Sequence, residues 1–436
     1  MSEPAGGKTY VVALCGGADR PMAEFGGRTA FEAAATPELD GLAAAGTTGL
    51  VTVIDAGITP ESDSGAMALL GFDPRRYYTG RGPLEGYGSD FWDSEGSSVA
   101  FRVNFASQDP ETGRLDRRTS RDLTDEELQT LAGELRAGVH LPGDFRFGLK
   151  AYGRHRGIVA VTSRSAGLSG LVCNTDPGFV RKGPFGVPDA RAAGAPLRCR
   201  ALVADPAAEL TAELVNDLVG QTARILRASA VNRRRSAAGR RPANLLLFRD
   251  GGDTLPVLPG LPDGMRLGFF GQIPAERALA RLLGARFTHT APGPDEDLSR
   301  YYPKLAADLA AAAENVVFVH VKGPDEPGHD GRPGDKVAAI EAIDRHLIGP
   351  LAGFLAPDDT VVVTCDHATP CDLGIHSDDR VPVLACGRGV PRDSTDRFDE
   401  VAAAGGGLPV ERADQLLPWL ARCRRSVASR EGAHQV

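Results

Sequence analysis

Three short apolar runs, each ending in a loop of glycine, proline or acidic residues, set the frame of the chain. Residues 10–14 read Tyr-Val-Val-Ala-Leu and stop at Gly16-Gly17, which predicts a buried strand feeding a loop. Residues 36–46 predict a helix, with Thr36 as cap, Pro37 at the first helical position and Gly46 as the stop. A strand followed by a helix suggests the opening of a doubly wound sheet. Near the other end, residues 315–321 and 360–364 predict two further strands, separated by a helical pattern over 335–355. That is a βαβ signature, and in such sheets ligands bind in the loops after the strands.

The texture changes between residues 93 and 197, where charged turns and Pro/Gly clusters separate short strand-like pieces such as 99–105 and 157–162. The expected fold class is therefore α/β: a doubly wound core from residues 1–92 and 198–436, carrying an inserted α+β lobe over 93–197. After the lobe a helix is predicted over 209–228 and a strand over 244–248. The basic run between them, Arg233 to Arg241, reads as a solvated connection rather than a nucleic-acid patch.

Length and charge narrow the function classes. A chain of 436 residues exceeds what one hydrophobic core usually covers. Its net charge of -8, with cationic residues scattered through a larger acidic set, argues against nucleic acid as a partner. No apolar run reaches the roughly 18 residues of a spanning helix, so no membrane partner is expected. The seven cysteines are odd in number and form no CxxC pair, which argues against a disulfide framework or zinc knuckle. A reducing compartment fits that usage, and the cytoplasm is the expected location. The oligomeric state is not written in the sequence.

Candidate chemistry gathers where the pattern places loops after strands. Asp325, His329 and Asp330 follow the strand predicted over 315–321, and Asp366-His367 follows the one over 360–364, with His376 nine residues beyond His367. An Asp-His pair at a strand end is by itself more often a turn, but three of only nine histidines in such loops make a metal site the better reading. Mixed imidazole and carboxylate ligands suit zinc or manganese. Ser62-Asp63-Ser64-Gly65 stands in a loop before the apolar helical run 66–70, where amides and helix dipole would favour an anion or an alkoxide. Ser62 is thus a candidate nucleophile, against the plainer reading of an N-cap. Gly80-Arg81-Gly82 lacks the spacing of a dinucleotide fingerprint, and Arg81 reads better as a phosphate or carboxylate clamp. Arg102, Asp116, Arg117, Arg118 and Arg156 are further candidate anion contacts, each on its own read first as a surface charge.

These motifs lie in an order that resembles the cofactor-independent phosphoglycerate mutases of the archaeal type, members of the alkaline phosphatase superfamily. The likeness runs through Ala18-Asp-Arg-Pro21, Thr36-Pro-Glu-Leu-Asp40, Ser62-Asp-Ser64, Leu69-Leu-Gly-Phe-Asp-Pro74, Tyr77-Tyr-Thr-Gly-Arg-Gly-Pro83, Phe101-Arg-Val-Asn-Phe-Ala106, Thr175-Asp-Pro177, Val319-His-Val-Lys322 and Asp366-His-Ala-Thr-Pro-Cys371. The resemblance implies an alkaline-phosphatase-like core with two divalent ions (manganese, zinc or magnesium) and a lobe that caps a small phosphorylated carboxylic acid. It implies one ion on Asp325, His329 and His376, and a second on Asp366, His367 and Ser62, the serine that takes the phosphoryl group. Two positions depart from the family. Cys15 stands where the family has an aspartate ligand to the second ion, and Ala66 where it has a histidine. The departures leave open a mutase acting on a phosphonate or phosphinate analogue in specialised metabolism, a metal-dependent phosphatase, and a catalytically silent binding homologue.

Overall fold

The structure, a computed structural model, describes residues 7–92, 96–117, 119–189, 194–293 and 295–433. Its strands in chain order are β1 Thr9–Leu14, β2 Thr47–Val51, β3 Ser97–Gln108, β4 Leu115–Asp116, β5 Arg146–Tyr152, β6 Arg156–Ser163, β7 Phe179–Lys182, β8 Phe185–Pro188, β9 Leu245–Gly252, β10 Leu267–Gly271, β11 Arg286–His289, β12 Val316–Val321, β13 Thr360–Thr364 and β14 Val381–Gly387. Two compact units divide the chain, one formed by residues 1–77 and 257–436 and the other by residues 78–256.

The first unit is built on a seven-stranded sheet in the order β11-β10-β12-β1-β13-β14-β2. Strands β11, β10, β12, β1 and β13 run parallel, and β14 runs antiparallel to both its neighbours. Every residue of β1, β12 and β13 is buried, as a parallel sheet covered on both faces requires, which is why these strands read as unbroken apolar runs. The predicted helices form as Pro37–Ala44 and, between β12 and β13, as Pro333–Ile343 continuing into Gly349–Phe354 through one π-helical turn. The two strands of the βαβ unit do not touch: β1 lies between them, with Leu14 opposite Val321 and Ala13 opposite Thr364. The loops after three adjacent parallel strands therefore start side by side.

A buried ion pair ties two of those loops together. Lys336 Nζ donates to Asp19 Oδ2 at 2.8 Å, to the Ala18 carbonyl at 3.0 Å and to the Thr369 carbonyl at 2.9 Å, with both charged side chains fully buried. Removing the ammonium leaves a carboxylate without its partner in a dry site, which costs about 3–5 kcal/mol. Lys336→Met is therefore expected to lower the urea midpoint of unfolding substantially. A midpoint within experimental error of the parent protein's would show that the pair carries no such role.

The second unit is wider than the lobe expected over 93–197, because chain on both sides of that segment packs into it. Antiparallel strands β4, β3, β6 and β5 form a sheet to which β9 adds along β3, and helix Pro206–Ala228 packs on β9. The basic run departs from the expected solvated connection. It enters helix Ala230–Ala237, where Arg235 is buried and donates to Glu127 at 2.9 Å and to Asp122, and Arg240 reaches the same two carboxylates. Sequence proximity to other arginines concealed a structural ion-pair cluster whose acids lie more than a hundred residues earlier.

Candidate metal centre and nucleophile

The carboxyl ends of β12, β1 and β13 deliver Lys322, Cys15 and Asp366-His367 to one place. The register accounts for it: the Cys15 amide donates to the Val321 carbonyl at 2.9 Å, so residues immediately past each strand end are neighbours. Ser62 comes from helix Ser62–Leu69, all of whose residues are buried. Residues 62–65 form the first turn of that helix rather than the loop before it, and Glu61, not Ser62, is the N-cap. Gly65 lets the turn sit against the β13 loop, since a Cβ there would lie 2.4 Å from the Asp366 carbonyl oxygen. The serine hydroxyl is thus held at a helix N-terminus, where free amides and the helix dipole favour negative charge.

One donor cluster is Asp325, His329 and His376, whose ligand atoms all lie within 4.8 Å of one another. His329 Nδ1 faces the Gly374 carbonyl at 3.0 Å and His376 Nδ1 faces the Pro60 carbonyl at 3.1 Å. A carbonyl only accepts, so each Nδ1 carries a proton and each ring turns its Nε2 inward, where it offers a lone pair to a metal ion whenever the ring is neutral. The two Nε2 atoms are 3.1 Å apart and lie 3.5 and 3.4 Å from Asp325 Oδ1. Two imidazole Nε2 atoms and a carboxylate oxygen at this range attract either protons on the rings, which is why, against burial, Asp325 raises His376, or a divalent ion in their place, and the donor set fits such an ion. Burial alone would raise Asp325, but the neighbouring His329 and His376 hold it well below the usual carboxylate range.

The second cluster surrounds Cys15, where the donors fall into two overlapping groups, Cys15 with Asp325 and His367 and Cys15 with His320 and Asp366, and Cys15, Asp366 and His367 are all fully buried. Cys15 Sγ lies 3.6 Å from Ser62 Oγ and 3.7 Å from His367 Nε2, and His367 Nε2 lies 3.3 Å from Asp366 Oδ2. Thr369 donates to Asp325 Oδ1 at 2.8 Å, so its oxygen is free to accept from His367 Nδ1 at 3.1 Å, and a third Nε2 lone pair points inward. Burial, with the nearby His376, pushes His367 down to about 3 and keeps it neutral, as a ligand must be. Thiolate, imidazole and carboxylate together suit a soft ion such as zinc and suit magnesium poorly.

Four residues of this centre were not singled out from the sequence. Lys322 Nζ donates to Cys15 Sγ at 2.7 Å and to Ser62 Oγ at 2.8 Å. Burial opposes its charge, but Cys15, Asp325 and Asp366 raise it above the ordinary lysine value, so it is an ammonium. His320 stands between Asp366 Oδ2, at 2.8 Å, and Glu276 Oε1. Burial disfavours its charged form, yet the two carboxylates raise it well above its ordinary value and it bridges them as an imidazolium. Glu276 keeps its other oxygen on the amides of Gln272 and Ile273 at the start of its own helix, so the chain Glu276-His320-Asp366 fixes the carboxylate that faces the second cluster. Thr369 is the fourth. A histidine inside the apolar strand β12 and a lysine at its end were visible in the motif Val319-His-Val-Lys322, and Thr369 lay in the motif Asp366 to Cys371; Glu276 carried no signal.

In the second unit the structure gathers Arg81, Arg102 and Arg156 about one carboxylate. Arg81 Nε and Arg102 Nη1 donate to Glu85 Oε1 at 2.8 and 2.5 Å, and the Tyr152 hydroxyl donates to Glu85 Oε2 at 2.5 Å. Burial and then Arg102 lower Arg156 to about 10. Arg102 Nε and Arg156 Nε are buried with no hydrogen-bond partner. Arg81 opens helix Arg81–Gly88, and Gly82 beside it serves packing: a Cβ there would lie 2.4 Å from the Ala100 carbonyl oxygen of β3. Arg117 pairs with Asp176 at 2.7 Å over the Phe179 ring, and Asp116 lies 3.7 Å from Arg241. Arg118 lies outside the described residues.

A parallel-sheet core whose strand ends carry two such donor clusters is the frame of an α/β metalloenzyme, and a family model described as the metalloenzyme superfamily matches residues 284–408. A second model, described as 2,3-bisphosphoglycerate-independent phosphoglycerate mutase, matches residues 43–232. A protein of that name from Aeropyrum pernix is 34% identical over 420 residues, covering 92% of this chain and 95% of its own. Another from Methanopyrus kandleri is 37% identical over 411 residues and covers 92% of each chain. The solved cofactor-independent phosphoglycerate mutase from Thermoplasma acidophilum superposes with a TM-score of 0.58 at 29% identity, over 96% of this chain and all of that one. The chain belongs to the 2,3-bisphosphoglycerate-independent phosphoglycerate mutase family. No helix among the described residues is long and apolar enough to cross a membrane.

Proposed function

We propose that the chain interconverts 2- and 3-phosphoglycerate, or a close analogue, by way of a phosphoryl group carried on Ser62. The observation that carries the reading is the convergence of three inward Nε2 lone pairs beside a serine held at a helix N-terminus by a lysine ammonium. Divalent ions on Asp325, His329 and His376, and on Cys15, Asp366, His367 and Ser62, would supply Lewis acidity toward the phosphoryl oxygens and the serine hydroxyl. Ser62 Oγ gives up its proton as it attacks phosphorus, the bond from phosphorus to the substrate oxygen breaks, and that oxygen takes up a proton in exchange, so the net proton count is unchanged. Lys322 stands 2.8 Å from Ser62 Oγ and stabilises negative charge there, first as the nucleophile forms and again when the serine leaves. The glycerate turns, its other hydroxyl attacks the phosphoserine, and Ser62 Oγ is released. Arg81, Arg102 and Arg156, the last two with a buried Nε group that has no hydrogen-bond partner, supply cationic contacts for the anionic groups of a phosphorylated carboxylic acid.

Phosphorus NMR of the metal-loaded protein with 3-phosphoglycerate tests this reading. A mutase brings up the 2-phosphoglycerate resonance until the two reach equilibrium; growth of inorganic phosphate instead means a phosphatase, and an unchanged spectrum means neither. Cys15 favours one second reading, a mutase whose substrate is a phosphonate or phosphinate analogue, because a thiol in salt-bridge range of Lys322 changes the charge beside the nucleophile. Cys15→Asp restores a hard oxygen ligand. A gain in manganese-supported turnover on phosphoglycerate is the expected result for the first reading, and no gain in a well-folded variant favours the second.

A further inference from the structure

Away from the metal centre, two cysteines of the second unit face each other. Cys173 and Cys199 sit on extended segments joined antiparallel at Val172 and Ala201, with the Cys173 amide donating to the Arg200 carbonyl at 2.9 Å. The Cys199 thiol donates to the Cys173 carbonyl oxygen at 3.2 Å, and Cys173 Sγ faces the Arg198 carbonyl oxygen at 3.6 Å, so the two side chains lie side by side. The Arg200 amide donates to Cys173 Sγ at 3.2 Å.

Both segments are pinned, so the sulfurs stay together. The Asn216 side chain accepts from the Cys199 amide and donates to its carbonyl, each at 2.9 Å. Two residues past Cys173, Thr175 exchanges hydrogen bonds with Phe248 of β9, through its amide and its hydroxyl, both at 2.8 Å.

The two thiols differ in a way that assigns them roles. Cys199 is 2% exposed, whereas Cys173 is only half-buried, so a solution oxidant meets Cys173 first. The neighbouring Cys199 thiol, opposed by burial and helped by the Arg200 amide and charge, lowers Cys173 to about 6, while Cys199 is raised. A half-exposed thiolate backed by a protonated thiol is the arrangement of an attacking and a resolving cysteine.

We propose that Cys173 and Cys199 form an oxidation-sensitive dithiol, a modification site that closes to a disulfide under hydrogen peroxide and reopens with a dithiol reductant. The Cys173 thiolate attacks one peroxide oxygen, the O–O bond breaks, and the departing hydroxide takes a proton to become water, leaving a sulfenic acid. The Cys199 sulfur then attacks the Cys173 sulfur; its proton and the sulfenic hydroxyl leave as a second water. Two thiols and one peroxide give one disulfide and two waters. None of the residues involved belongs to the metal centre, so the inference stands apart from the catalytic reading.

The test treats the full-length reduced protein with hydrogen peroxide, then counts thiols after denaturation and maps cross-links by mass spectrometry without reduction. Expected are the loss of two of the seven thiols, a Cys173 to Cys199 cross-link, and recovery with dithiothreitol. In Cys199→Ser, Cys173 is expected to accumulate as a sulfenic acid that dimedone traps. In Cys173→Ser, peroxide should consume Cys199 at least about tenfold more slowly, since the thiolate is the reactive form. Survival of both thiols, a cross-link between other cysteines, or oxidation of Cys173 to the sulfinic acid with no cross-link in the parent protein would each overturn the proposal. The mapping on the parent protein decides the matter even if a variant fails to fold.

Discussion

Ser62→Ala is expected to lower phosphoryl transfer by at least about four orders of magnitude, the scale on which removal of a covalent nucleophile acts. The missing oxygen is the one that Lys322 approaches to 2.8 Å and that lies 3.6 Å from Cys15 Sγ, so no other described hydroxyl takes its place at the junction of the two donor clusters. Ser64, two residues on, is turned away: its Oγ contacts the Glu61 amide and carbonyl at 3.0 Å in the capping box of the same helix. Helix Ser62–Leu69 should persist in the variant, because its cap is Glu61 and alanine is well suited to a helical position. The measurement pairs a turnover assay with circular dichroism and mapping of phosphate trapped on the parent protein. Retained activity in the variant, or phosphate mapped to Ser64, contradicts the assignment.

His329→Ala is expected to remove about one bound ion per chain and with it most of the activity. The three donors of that cluster come from two segments, Asp325 and His329 from the short helix Asp325–His329 and His376 from a loop more than forty residues on. Loss of one imidazole leaves two donors, and the affinity should drop by more than the roughly 10–100-fold seen when only a supporting hydrogen bond is lost. His376 keeps its own bond to the Pro60 carbonyl, so the loop should remain placed and the effect stay local. Elemental analysis of protein dialysed against a limiting metal concentration reads the change. An ion count equal to that of the parent protein would remove His329 from the coordination sphere.

The division between what could be read in advance and what could not follows the range of the interactions. Local patterning placed β1, β12 and β13 within a residue or so of their observed bounds, because buried parallel strands are continuous apolar runs and Gly, Pro and acidic residues mark their ends. It placed Asp366 and His367 directly after β13 for the same reason, whereas Asp325 and His329, read as loop residues, form the short helix Asp325–His329. Helix Ser62–Leu69 was misjudged by one turn, since its first four residues are poor helix formers individually and are held by burial and by the Glu61–Ser64 capping box. The second unit's extent was underestimated because β9, which completes its sheet, pairs with a strand about 140 residues earlier in the chain and carries no mark of that partner in its own residues.

The sequence by itself determined the chemistry on offer: a serine at a helix start, three histidines and two aspartates in post-strand loops, and a cysteine at the end of the first strand. Tertiary structure decided how those groups act. Only the order β12-β1-β13 sets Cys15 between Lys322 and His367, and only the carbonyls of Gly374 and Pro60 and the hydroxyl of Thr369 choose the tautomers that turn three imidazole lone pairs inward. Glu276, His320 and Asp366, from three separate elements, become one charged chain for the same reason. A strand's apolar pattern is written in adjacent residues, whereas strand order and hydrogen-bond partners depend on packing between segments hundreds of residues apart.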